Sequence, residues 1–107
     1  NDRTRNGGAE IVNLLKTGSA FYAPSAAAVA MAKAIVRNEN RLLPCSAWLE
    51  GQYGLDGIYM GVPVILGRDG VERIVELELD EGGQAKLEAS ASAIGSDIKT
   101  LEGLGLL

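Results

Sequence analysis

Histidine is missing from all 107 residues of this sequence. That removes the side chain used most often as a general base near neutral pH and as a metal ligand. Cysteine occurs once, at Cys45, so no internal disulfide can form, and thiol–imidazole chemistry and the usual zinc sets are excluded. A lone thiol fits a reducing compartment, and the cytoplasm is the expected location. No apolar run reaches the ~18 residues of a membrane helix, and the N-terminus lacks a signal-peptide pattern. Basic blocks are lacking too. Ten Lys and Arg stand against fourteen Asp and Glu, a net charge of −4. Nucleic acid is therefore not an expected partner, because phosphate binding needs concentrated positive charge. No Gly-rich phosphate loop, nucleophile elbow or internal repeat is present. An enzyme made from this chain alone would have to rely on carboxylates, Lys, Tyr or Ser.

What the chain does have is a segment rich in alanine. In Lys16–Ala34, Thr17, Gly18 and Ser19 punctuate the backbone, and Pro24 suits an early helical position where its missing N–H costs nothing. Ser25 to Val36 holds no Gly or Pro and reads as helix, with Ala23, Ala27, Ala30 and Ala34 at helical spacing. Such a stripe allows close approach of a neighbouring helix or ligand; an ordinary buried helix explains the spacing as well. Upstream, Asn6-Gly7-Gly8 has turn composition, and Ala9 to Lys16 reads as a short amphipathic helix carrying Ile11, Leu14 and Leu15. Arg3 and Arg5 read as a solvated terminus.

Downstream, Asn38 to Arg41 is a polar linker. Leu42 to Leu49 is an apolar strand that Pro44 consigns to a sheet edge or a bulge. Trp48, the only tryptophan, is expected to fill a core or an interface. Ile58 to Leu66 is a second strand, apolar enough to be covered on both faces over part of its length. Gly67-Arg-Asp-Gly70 is a hairpin signal. A third strand is expected over Val71 to Leu79, with Val71, Val75, Leu77 and Leu79 on one face and a solvated row of Glu72, Glu76 and Glu78 opposite. Asp80 is a candidate N-cap for a helix over Gln84 to Ser96, which Gly95 would interrupt. The leucines of the tail, up to Leu107, could dock. The fold class expected is α+β: two N-terminal helices, an antiparallel three-stranded meander and a C-terminal helix.

Several stretches resemble the C-terminal half of the lactate/malate dehydrogenase family, in particular the lactate dehydrogenase-like malate dehydrogenases of bacteria. They are Thr4–Val12, Leu14–Pro24, Arg41–Cys45, Leu49–Gly54, Tyr59–Val64 and Gly70–Val75, in order and with family-like gaps. The likeness runs from about Arg3 to Ile94; Gly82-Gly83 and the residues from Gly95 onward depart from it. It also revises one local reading, since the segment matching Asn6-Gly7-Gly8 lies in a helix that walls the family's substrate cavity.

The resemblance implies a parent reaction in which malate is oxidised to oxaloacetate by hydride transfer to NAD. In the family, a Rossmann half holds the dinucleotide, a histidine oriented by an aspartate moves the hydroxyl proton, and arginines clamp the substrate carboxylates. By the same resemblance, residues 1–107 are a single substrate-domain fragment without its dinucleotide-binding half, holding no catalytic residue, metal or cofactor of its own. Ser19, Ala20 and Gly8 match the wall of the substrate pocket, and Pro24 matches the position beside the nicotinamide ring. For Ser19, satisfying backbone groups near a helix start is an equally simple role, as is helix-start geometry for Pro24. The expected partners are the N-terminal half and further copies of the chain, and the chain is expected to be inactive alone. A stand-alone self-associating module is the alternative, since the alanine helix and the strand around Ile58 to Leu66 would expose a contiguous apolar patch without a partner half.

Overall fold

The computed structural model describes residues 2–106. In chain order it has α1 (Asp2–Arg5), α2 (Gly7–Leu15), α3 (Tyr22–Val36), β1 (Arg41–Glu50), a 3₁₀ turn (Gln52–Gly54), β2 (Asp56–Gly67), β3 (Gly70–Ile74) and α4 (Glu81–Gly103). The strands form an antiparallel meander with β2 in the middle. The α+β arrangement is the one expected from the sequence.

Proline decides much of the sheet. Pro44 sits on β1, an edge strand, opposite Pro63 of β2, as its missing N–H requires. The bulge in that pairing falls at Leu49/Glu50 and not at Pro44. Pro63 lies in the central strand and has no N–H to offer β3. Regular pairing with β3 accordingly ends at Val64↔Ile74, and the Pro63 carbonyl accepts only the Val75 N–H at 2.9 Å. The third strand is therefore Gly70–Ile74, shorter than the expected Val71 to Leu79. Beyond it, Tyr53 takes over. Its hydroxyl donates to the Val75 carbonyl and accepts from the Leu77 N–H, while its own N–H donates to the Glu76 carboxylate. The expected apolar face of this strand also fails. A register shift opposite Ile65/Leu66 turns Val71 outward and brings Ile74 against the core.

One sheet face carries the core. Ala47 and Leu49 of β1 and Met60, Val62, Val64 and Leu66 of β2 are buried there, with Ala34 of α3. Met31, Leu87 and Ile94 bring α3 and α4 onto this cluster. The other face is open at Tyr59, which is 62% exposed and packs on Trp48 with ring centroids 5.1 Å apart, whereas Pro63 and Ile65 further along β2 are half-buried, so β2 is covered on both faces over its C-terminal part alone. Trp48 is thus not a core residue. The alanine helix is not an ordinary buried helix either. Ala34 is its one buried residue, and Tyr22, Val29 and Val36 face outward.

At the C-terminal end, the Asp80 carboxylate accepts the Gly83 N–H at 2.6 Å and caps α4. Gly95 does not interrupt this helix, which continues to Gly103. Leu101, Leu104 and Leu106 stay exposed and do not dock; Leu107 lies outside the described residues. At the other end, Gly7 and Gly8 are helical and only Asn6 breaks the run. The turn reading fails for both glycines, which are helical as the family resemblance implied, and Asn6 alone keeps a turn conformation.

Candidate functional site

Between the N-terminal helices and the start of α3 runs an open groove of about 460 Å³. Thr4, Gly7, Gly8 and Ile11 form one wall; Ala20, Ala23, Pro24 and Ala27 form the other. Each wall follows from helical periodicity. Positions 4, 7, 8 and 11 share one face of a helix, as do 20, 23, 24 and 27 around the start of α3. Small side chains set the width. A Cβ placed on Gly8 would lie 4.0 Å from the Cβ of Ala20, so glycine leaves the groove open where any larger residue would begin to fill it.

Three of the four residues singled out in the sequence, Gly8, Ala20 and Pro24, meet in this groove. Ser19 does not line it and is exposed beside it. Pro24 is the third residue of α3, early enough that its missing N–H breaks no helical bond. Thr4 and Ile11 were not singled out as site residues. The signal that could have found them is their spacing of three or four from Gly7 and Gly8.

The groove carries no charge and no titratable side chain; the Thr4 hydroxyl is the one side-chain polar group in it. It can shape and exclude water from a ligand, but it cannot move a proton. Beside the groove, a second hollow of about 340 Å³ shares Thr4, Gly7 and Ile11 with it and adds Arg3, Glu10 and Leu14. The Arg3 guanidinium donates two hydrogen bonds to the Glu10 carboxylate, at 2.9 and 3.1 Å. These bonds raise its pKa above the ordinary value, slightly opposed by desolvation. Arg3 is therefore no free anion clamp. Glu72 and Glu76, read as a solvated row, are exposed and accept the N–H groups of Asp69 and Tyr53. Among the described residues, no group of three or more Asp, Glu, His or Cys could hold a metal ion, and no helix is long and apolar enough to cross a membrane.

Comparison with known proteins gives this geometry its setting. Residues 1–104 match the family described as lactate/malate dehydrogenase, alpha/beta C-terminal domain. The chain is 58% identical over 103 residues to a malate dehydrogenase of Roseiflexus sp. (strain RS-1), covering 96% of this chain and 33% of that protein. It is 60% identical over 101 residues to a malate dehydrogenase of Methanosarcina barkeri (strain Fusaro), covering 94% and 33%. Among solved structures, malate dehydrogenase of Cryptosporidium parvum superposes with a TM-score of 0.89 at 42% identity, over 94% of this chain and 32% of that one. Lactate dehydrogenase from Eimeria maxima, solved with NADH and oxamate, gives a TM-score of 0.92 at 36% identity, over 97% and 32%. The 107 residues thus span about a third of the length of the curated relatives they match, and the match falls in their C-terminal part. The chain belongs to the lactate/malate dehydrogenase family and corresponds to its alpha/beta C-terminal domain.

Proposed function

We propose that these residues form the substrate-side domain of an NAD-dependent malate dehydrogenase and are inactive by themselves. The observation that carries this reading is the convergence of Gly8 from α2 with Ala20 and Pro24 around the start of α3 on one uncharged groove. In the parent reaction, malate loses a hydride to NAD and a proton to a base. The small apolar wall at Ala20 and Pro24 suits the flat face of a nicotinamide ring; nothing in the groove suits the dinucleotide phosphates. This chain would then shape the pocket and keep water out of it, while the dinucleotide-binding half supplies the proton-transfer and carboxylate-clamping groups.

Surface area supports a missing partner. A folded chain of 11.2 kDa is expected to expose about 5,700 Å², whereas this one exposes 7922 Å². The excess, about 2,200 Å², is of the size buried in obligate interfaces. The dinucleotide-binding half is the first partner proposed for that surface, and a second copy of the complete enzyme is the next. The half-buried Cys45 thiol suits a reducing location such as the cytoplasm. The second reading, a self-associating module, is favoured by the same exposed area.

A chimera tests the proposal. The 107 residues replace the matching segment of the Roseiflexus malate dehydrogenase, and malate-dependent formation of NADH is followed. The chimera is expected to turn over, and the isolated chain is expected to remain at background. Turnover by the isolated chain, or a folded chimera without activity, counts against the reading.

A further inference from the structure

The break between α1 and α2 is the one place where this chain sets an asparagine directly before a glycine. Asn6 has φ −98° and ψ 6°, off the helical values. The ladder is open here: Asn6 N–H bonds to the Asp2 carbonyl and Glu10 N–H to the Asn6 carbonyl, but Gly7 N–H makes no bond to the Arg3 carbonyl. Asn6 is exposed, and its carboxamide is held only by a 3.0 Å bond from Nδ2 to the Asp2 carbonyl. Gly7 has no side chain to hinder rotation of its amide toward the Asn6 carboxamide.

We infer that Asn6-Gly7 is a site of spontaneous deamidation. The Gly7 amide nitrogen, having lost its proton to solvent, forms a bond to Cγ of Asn6. The Cγ–Nδ2 bond breaks and ammonia leaves with a proton from water, closing a succinimide. Water then opens the ring at either carbonyl carbon. One product is aspartate at position 6; the other is isoaspartate, which adds a methylene to the main chain.

Among the described residues, the structure separates Asn6 from the other asparagines. Asn13 lies inside α2 and precedes Leu14, whose side chain crowds the attacking amide. Asn38 precedes Glu39 and is fixed by the Arg68 N–H to its Oδ1 at 2.9 Å. Asn40 precedes Arg41. Opening at Asn6 is resisted by little: one turn of α1, marginal as a helix, and the exposed Arg3–Glu10 pair that spans the break. Gly7 and Gly8 line the groove, so an isoaspartate would distort the very wall in which the sequence-predicted residues meet. The modification itself does not depend on the malate dehydrogenase reading.

The test is ageing of the whole chain in mildly alkaline buffer, followed by tryptic mapping. Cleavage after Arg5 and Lys16 releases residues 6–16, which hold Asn6 and Asn13 together and make Asn13 an internal control. Asn6 is expected to convert first, with the mass gain of an amide-to-acid change and with isoaspartate detected by enzymatic methylation. Gly7→Ala is expected to slow conversion by about tenfold, and Asn6→Gln to abolish it. Arg3→Ala, by releasing the break, is expected to speed it roughly twofold to threefold, the range of an exposed ion pair. The inference is overturned if Asn6 converts no faster than Asn13, if Gly7→Ala leaves the rate unchanged, or if Asn6 stays intact while the urea-unfolded chain converts.

Discussion

Tyr53 has a left-handed backbone, φ 57°, which costs a non-glycine residue roughly 1–2 kcal/mol. Three hydrogen bonds offset that cost, two through its hydroxyl and one through its N–H. Tyr53→Phe keeps the ring and removes the hydroxyl, so the Val75 carbonyl and Leu77 N–H lose their partner. A loss of about 1–3 kcal/mol is expected, read as a lower urea midpoint with an unchanged slope. Gly8 works through what it lacks. Gly8→Leu in the chimera would push a side chain into the groove opposite Ala20. The KM for malate is expected to rise by about tenfold or more, while far-ultraviolet circular dichroism stays unchanged. The role of Tyr53 was not legible in the sequence: it lies in Leu49–Gly54, a stretch noted for its family resemblance, and its partners are more than twenty residues away. Gly8 was pointed to by family resemblance, because local composition alone reads Asn-Gly-Gly as a turn.

Elements were legible where the signal is local. Asp80 was readable as a cap because the capped N–H lies three residues on, and Asp80→Ala is expected to cost about 1 kcal/mol in thermal stability. Gly95 misled, since glycine lowers helix propensity without forbidding a helix. In α4 a Cβ at Gly95 would meet nothing within 4 Å, and its φ is not positive. Gly95→Ala is therefore expected to stabilise the chain by about 0.5–1 kcal/mol, seen as a raised melting temperature. Gly70 is the opposite case. Its φ of 89° closes the β2–β3 hairpin, and Gly70→Ala should destabilise by about 1 kcal/mol or more. The length of β3 was not legible, because Pro63 ends the pairing from the neighbouring strand and Tyr53 claims the freed segment.

At the scale of the whole molecule, the chain is more open than a compact domain of its length. Its radius of gyration is 16.2 Å, against about 13 Å for a compact domain of this size. Outward-facing Tyr22, Val29 and Val36 on α3, and Trp48 and Tyr59 on the sheet, are large apolar side chains left in water. The isolated chain is expected to self-associate at micromolar concentration and to sediment heavier than 11.2 kDa. Val29→Glu with Val36→Glu is expected to shift it toward monomer. A wild-type chain that sediments as a clean monomer would end the self-association reading.

The amino-acid sequence by itself determined the order of the main helices and strands and the cap of α4, and it narrowed β1 to a sheet edge or a bulge. Each of these depends on a few neighbouring residues: a proline without its N–H, a carboxylate three positions before an amide, an alternation of apolar side chains. It also set the limit on chemistry, since no fold can supply an imidazole that the chain does not contain. Only the tertiary structure decided which face of the alanine helix is buried, where β3 stops and which small residues meet across the groove. Those outcomes depend on contacts between segments far apart in the chain, and a face left bare by one set of contacts has the same local pattern as a face they cover.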